Sequence, residues 1–166
     1  TRGVERTIIA AVGNGRKLSP ELAEVWGGVE KAVPILKPFK LASRDFQRED
    51  TVIALNGSGV GGQTLVVMAG PCSVEGVDML RRIAREVKKS GAAFLRGGAF
   101  KPRTSPYSFQ GLGEEGLKYL REVADEVGLL VVTEVMDTRT VELVSKYSDM
   151  LQIGARNMQN FALLKE

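Results

Sequence analysis

Hydrophobic and polar positions along the chain change rhythm near residue 65. From there on, short, mainly apolar runs alternate with longer stretches in which apolar residues recur every three or four positions. The runs are Leu65–Ala69, Ala93–Leu95, Leu129–Val135 and Met150–Ile153, polar only at Thr133, Glu134 and Gln152, as expected of strands buried on both faces. Between the first two, Leu80, Ile83, Ala84 and Val87 share a face opposite Arg81, Arg82, Arg85 and Lys88, which predicts a helix over Val77–Ser90 closed by Gly91. Leu117, Leu120, Val123, Ala124 and Val127 make a second helical stripe, stopped by Gly128. Val141, Leu143, Val144 and Tyr147 make a third, capped by Asp137 or Thr138, and Phe161 opens a fourth. Four successive strand–helix units predict an α/β fold with a parallel sheet and right-handed crossovers.

The preceding residues follow another pattern. Arg6–Val12 reads as a strand and Gly13-Asn14-Gly15 as a turn. Ser19-Pro20-Glu21 is a helix start with Ser19 as N-cap, and the helix should end near Trp26-Gly27-Gly28. Val29–Leu36 reads as a second strand, confined to an edge or a bulge by Pro34. Residues 1–36 are thus expected to be a β-α-β piece of a small α+β domain, too short to bury a core alone. Residues 37–50, rich in charge and containing Pro38, read as a linker. Thr51–Leu55, the Asn56-Gly57 turn and a return to Gln63 form an expected β-hairpin leading into the α/β part, residues 51–166.

Composition narrows the class. With 43% hydrophobic and 26% charged residues among 166, the chain suits one ordinary globular domain plus a smaller piece. Cys72 is the only cysteine, so a disulfide framework is excluded and a reducing, cytoplasmic location is expected. No apolar run approaches the ~18 residues of a membrane span, and there is no signal-peptide pattern. The net charge of +3 fits small anions as well as nucleic acid, so the placement of the cations has to decide.

The reactive residues sit just past the C-terminal end of each expected strand: Gly70-Pro71-Cys72-Ser73, then Arg96, Lys101, Arg103 and Thr104, then Glu134, then Gln152 and Gly154-Ala155-Arg156-Asn157. Four coincidences in register favour a (β/α) barrel over a doubly wound sheet, because barrel strand ends converge on one catalytic face. Arg96, Lys101, Arg103 and Arg156 around one mouth would hold at least two anionic groups. Nucleic acid is the weaker reading, since aromatic stacking residues do not interleave regularly with these cations; only Phe100 falls among those of the loop. Taken singly, Cys72 could be packing, Glu134 a partner for a neighbouring Arg, and Arg156 an electrostatic cap on its strand.

Together, Gly70-Pro71-Cys72-Ser73, Leu95-Arg96-Gly97-Gly98-Ala99, Lys101-Pro102-Arg103-Thr104-Ser105 and Ile153-Gly154-Ala155-Arg156-Asn157 resemble 3-deoxy-D-arabino-heptulosonate 7-phosphate (DAHP) synthase. The branch resembled has a (β/α)8 TIM barrel after a small ferredoxin-like regulatory domain. The likeness runs from about Arg6 to Glu166. It implies a metal-dependent, aldol-like condensation of phosphoenolpyruvate with erythrose 4-phosphate and water, releasing phosphate, at the first step of the shikimate pathway toward aromatic amino acids. It implies a divalent metal ion (Mn²⁺, Fe²⁺ or Zn²⁺) with Cys72 as a ligand. Arg96 and Lys101 would grip the phosphoenolpyruvate carboxylate, with Lys101 also a proton donor to the forming alkoxide. Arg156 and the Ala155 N–H would clamp the phosphoenolpyruvate phosphate, and Gln152 would line the same site. Pro102, Arg103 and Thr104 would meet erythrose 4-phosphate, and Glu134 would position the attacking water. A homotetramer inhibited by Tyr or Phe through the small domain is implied as well.

The chain also departs from that family. The family's remaining metal ligands are a His, a Glu and an Asp on later strands, and this chain contains no His. A full barrel needs eight strands and roughly 250 residues; only the first four are expected here, after a partial ferredoxin-like domain. The chain is therefore expected to be a piece of a longer synthase, inactive alone. Two alternatives stand beside the synthase: a non-catalytic, anion-binding half-barrel, and the sister 3-deoxy-octulosonate 8-phosphate synthase, which takes arabinose 5-phosphate. The sister's loop carries an extra Asn, in the form Lys-Ala-Asn-Arg-Thr-Ser, so Lys101-Pro102-Arg103 points to erythrose 4-phosphate.

Overall fold

The computed structural model describes residues 7–11, 19–34, 42–44, 46–55 and 57–166. The chain divides into two compact units, Thr1–Thr51 and Val52–Glu166. In the first, α1 spans Pro20–Glu24 with Pro20 in its first turn and Ser19 at the N-cap position. The Ser19 side chain does not cap the main chain as expected; its hydroxyl donates to the Glu21 carboxylate. The two strands expected here are not formed among the described residues. Thr7 makes an isolated bridge, residues 8–11 and 29–34 are irregular, and the Gly13-Asn14-Gly15 turn lies outside the described residues. Ile9 is 89% exposed and Val33 60%, so the apolar pattern meets no opposing layer among the described residues, and Pro34 brings no N–H to a ladder. Within the expected linker, Ser43 is buried, its carbonyl accepts from the N–H groups of Phe46 and Gln47, and Arg44 pairs with Asp50.

The second unit begins with the expected hairpin, β1 (Ile53–Leu55) antiparallel to β2 (Ser58–Val60). A parallel sheet follows in the order β3 (Met68–Ala69), β4 (Phe94–Arg96), β5 (Leu130–Val135) and β6 (Met150–Ile153). Its connections carry α2 (Val77–Lys89), α3 (Glu114–Val127) and α4 (Val141–Tyr147), and α5 (Phe161–Lys165) follows β6. Asp137 is the residue that caps the short 3₁₀ turn before α4, accepting from the Arg139 N–H. The first strand of the sheet is shorter than the run Leu65–Ala69 predicts. It has a neighbour on one side only, and Leu65 is largely exposed. No helix among the described residues is long and apolar enough to cross a membrane.

Register sorts the strand residues onto two faces. Phe94 aligns with Leu130, Arg96 with Val132, Val132 with Met150, and Glu134 with Gln152. Because side chains alternate along a strand, Leu95, Val131 and Val135 fall on one face, where they join Leu80, Ala84, Leu117, Leu120, Val123 and Val144 in the main core. Phe94, Leu130 and Val132 fall on the other, packed by Leu55 and Val60 of the hairpin and by Val66 and Met150. Further along that second face come Arg96, Glu134 and Gln152. The hairpin thus covers the early, apolar part of the face, and the strand ends carry its polar part.

Asp149, just before β6, ties three elements together. Its carboxylate accepts from the Val131 N–H at 2.7 Å and from Arg121 of α3 at 2.8 Å, while its own N–H donates to the Val131 carbonyl at 2.9 Å. Replacing Asp149 by Ala leaves a strand N–H without its acceptor and is expected to lower stability by about 2 kcal/mol. Urea unfolding of the variant beside the wild-type chain measures this.

Candidate active site

The chain leaves β3 at Gly70, whose φ of 153° lies outside the range L side chains favour. A Cβ there would stand 2.0 Å from the Arg96 carbonyl oxygen, so only glycine lets the end of β3 lie against the end of β4. This close approach brings Pro71 and Cys72 over Arg96. One Arg96 terminal nitrogen donates to the Pro71 carbonyl at 3.3 Å and the Cys72 carbonyl at 3.4 Å, and its Nε donates to Gln152 Oε1 at 3.2 Å. The last contact spans from β4 to β6 across β5. Lys101 is 8% exposed, and its Nζ donates to the Cys72 carbonyl at 2.6 Å and lies 3.2 Å from Cys72 Sγ. The Lys101 ammonium, through that hydrogen bond and its charge, with help from Arg96, lowers the Cys72 thiol below its ordinary pKa. Cys72 is exposed, so this thiol is accessible.

Glu134 stands opposite Gln152 in register, and the chain leaving β6 runs directly over it. A Cβ at Gly154 would fall 2.0 Å from Glu134 Oε1, so glycine is what admits the carboxylate here. Ala155 and Arg156 lie in the 3₁₀ turn that follows, both exposed, and the Arg156 guanidinium has no partner among the described residues.

The loop after β4 is pinned at its base and open at its tip. Thr133, fully buried on β5, donates to the Gly97 carbonyl at 2.6 Å, and the Val74 N–H donates to the Gly98 carbonyl at 3.0 Å. The loop returns on itself where the Lys101 N–H meets the Gln110 carbonyl at 2.8 Å and the Gly113 N–H meets the Ala99 carbonyl at 3.0 Å. Pro102 is half-buried, while Arg103 and Thr104 are exposed on the outgoing limb, with no side-chain partner among the described residues.

Of the residues singled out from sequence, Cys72, Arg96, Lys101 and Gln152 form one contact network, and Glu134 shares their sheet face. Arg103, Thr104, Ala155 and Arg156 stand apart from that network on the flanking loops. Sequence reasoning passed over Thr133 and Gln110, and it named Ser73 only as part of its motif; the buried Ser73 hydroxyl has no partner among the described residues. Thr133 was detectable as the lone hydroxyl inside an apolar run; Gln110 had no distinguishing pattern. A cavity of about 510 Å³ lies instead at the beginning of the strands, lined by Gly57, Lys88, Arg121, Asp125 and Asp149. Its charged groups pair with one another and with the Gly128 carbonyl, and Arg121 Nε is left buried without a partner among the described residues.

The arrangement can hold small anions beside a thiol and a carboxylate. As a metal centre it is incomplete: among the described residues no group of three His, Cys, Asp or Glu side chains could hold an ion. Cys72 offers one soft donor.

Comparison with known proteins gives a consistent result. The model of the DAHP synthetase I family matches residues 45–166. The phospho-2-dehydro-3-deoxyheptonate aldolase of Thermotoga maritima is 51% identical over 166 residues, covering 100% of this chain and 49% of that protein. A 2-dehydro-3-deoxyphosphooctonate aldolase of Campylobacter jejuni subsp. doylei is 36% identical over 98 residues, covering 55% of this chain and 37% of that protein. The crystal structure of the Thermotoga maritima DAHP synthase superposes with a TM-score of 0.76, covering 93% of this chain and 45% of that one. A truncated form of the same enzyme gives 0.68 at 50% identity, covering 76% and 45%. The chain spans about half the length of the Thermotoga relative and less of the other.

A lowered thiol pKa means thiolate persists to lower pH than in free cysteine. Iodoacetamide should therefore alkylate Cys72 with a midpoint below that of free cysteine, and Lys101→Met should move the midpoint up. Alkylation rates measured by mass spectrometry across a pH series check both shifts.

Proposed function

This chain belongs to the DAHP synthetase I family, and on that premise we propose that it carries one part of the active site of a 3-deoxy-7-phosphoheptulonate synthase. Phosphoenolpyruvate and erythrose 4-phosphate condense when C3 of the enol attacks the aldehyde carbon. Water adds at C2, and the C2–oxygen bond to phosphate breaks to release inorganic phosphate. The contact network of Arg96, Lys101, Cys72 and Gln152 carries this reading, because it fixes two cations side by side with their donors aimed at one sheet end.

In this reading Arg96 and Lys101 bind the phosphoenolpyruvate carboxylate. Lys101 Nζ gives a proton to the alkoxide oxygen formed from the aldehyde. Glu134 orients the water that adds at C2 and takes its proton. Arg156 with the Ala155 N–H holds the phosphate that leaves, and Pro102, Arg103 and Thr104 receive the sugar phosphate. The family's divalent metal would act as a Lewis acid when bound, and Cys72 would be one of the residues that hold it. The parallel sheet β3–β6 is read as the first four units of a (β/α)8 barrel, with residues 1–36 as part of a ferredoxin-like domain through which Tyr or Phe inhibits a homotetramer. Resemblance alone supports those last features.

The sister octulosonate synthase is the second reading. The shorter and weaker likeness to that family, and the absence of an inserted Asn between Pro102 and Arg103, speak against it.

A polypeptide of full family length carrying this chain should turn over phosphoenolpyruvate with erythrose 4-phosphate and prefer it to arabinose 5-phosphate. Arg96→Ala should reduce kcat/KM for phosphoenolpyruvate by roughly 10²-fold or more. The 166-residue chain alone should show no turnover. Steady-state phosphate release measures all three, and metal-dependent turnover by the homogeneous short chain would overturn the division of the site.

A further inference from the structure

The loop limb that carries Arg103 and Thr104 has no core of its own. Tyr107 is 96% exposed and Phe109 46%, and Arg103 and Thr104 are exposed as well. Without apolar burial, hydrogen bonds must define the shape of this limb. One residue supplies most of them. The Gln110 side-chain nitrogen donates to the Ser105 carbonyl at 3.1 Å and to the Ser108 carbonyl at 2.9 Å, while the Gln110 main-chain carbonyl accepts from the Lys101 N–H at 2.8 Å. The Ser105 carbonyl also accepts from the Ser108 N–H at 3.2 Å, and the Ser105 hydroxyl from the Tyr107 N–H at 3.3 Å. Gln110 therefore joins the returning limb to Ser105, the residue next to Thr104, and its main chain joins the same limb to Lys101.

We propose that Gln110 is a positioning residue for the sugar-phosphate side of the site: its carboxamide holds the Arg103–Thr104 limb at a fixed distance from Lys101. The proposal rests on the synthase reading for the identity of the ligand, but not for the tie itself. An amide is needed because both contacts are donations from its nitrogen to carbonyl oxygens. A carboxylate of the same size would face those oxygens with lone pairs and release the limb. The sheet end that binds phosphoenolpyruvate is pinned separately, by Thr133 at Gly97 and by Gly98 at Val74, so loss of the tie should reach one substrate and spare the other.

The test uses Gln110→Glu and Gln110→Leu in the full-length polypeptide. The expected result is a KM for erythrose 4-phosphate raised about tenfold, as a modestly misplaced binding group produces, with the KM for phosphoenolpyruvate within twofold of wild type. Amide hydrogen exchange at residues 103–109 should become faster in both variants, while exchange in β4 and β5 stays unchanged. An unchanged KM for erythrose 4-phosphate in an active enzyme would overturn the proposal. Should the wild-type protein fail to use erythrose 4-phosphate, the synthase reading fails, and exchange still decides the tie: rates at residues 103–109 equal to wild type overturn it, faster rates support it.

Discussion

Strand register is the constraint on which the rest of this structure depends. Side chains alternate across a sheet, so pairing Arg96 with Val132 and Glu134 with Gln152 determines which residues meet the helices and which do not. A slip of one position on β5 would turn Val131 and Val135 away from α2, α3 and α4 and drive Glu134 into the apolar layer. Each large aliphatic side chain so displaced would forfeit ~1.5–3 kcal/mol of burial, and a buried carboxylate without a partner costs more still. The helix-side core thus enforces the placement of the polar residues on the opposite face. The site is assembled by the packing of residues that never touch it.

That dependence explains how much was legible in the sequence. Leu129–Val135 and Met150–Ile153 are mainly apolar runs, and the stripes of α2 and α3 are long enough for their period to be unambiguous; both patterns report burial, which register then converts into position. Where burial is missing, pattern misleads. Leu65 looks like a strand residue but lies at the exposed start of the sheet's edge, and Ile9 and Val33 belong to stretches that read as strands yet meet no layer among the described residues. Ser19 illustrates a subtler failure: its place at the start of α1 is as expected, yet its hydroxyl turns to Glu21 instead of the backbone.

The candidate site was legible as a set of residues and not as a geometry. Cations at strand ends declare themselves, but nothing in the order of letters says that Arg96 reaches across β5 to Gln152, or that Lys101 folds back onto Cys72. Those contacts depend on close approaches at Gly70 and Gly154, where a Cβ would meet the Arg96 carbonyl and the Glu134 carboxylate at 2.0 Å. Gln110 was invisible for the same reason, since a hydrogen bond from a side chain to a distant carbonyl leaves no periodic trace.

The electrostatics of this network point toward its use. Lys101 is buried with no acidic partner among the described residues; a carbonyl and a sulfur receive its protons instead. Arg96 is likewise held by two carbonyls and an amide oxygen. Neutral acceptors hold a cation in place without cancelling its charge, so both residues keep their field while their side-chain freedom is already lost. Had Glu134 formed an ion pair with either, an incoming carboxylate would first have to displace it. Glu134 instead stands beside the network, opposite Gln152 and under Gly154, and forms no ion pair with either cation among the described residues. Cations held by neutral acceptors and left unpaired with a nearby carboxylate distinguish this network from a surface salt-bridge cluster, and in the proposed reading they leave Arg96 and Lys101 with charge to offer an anion.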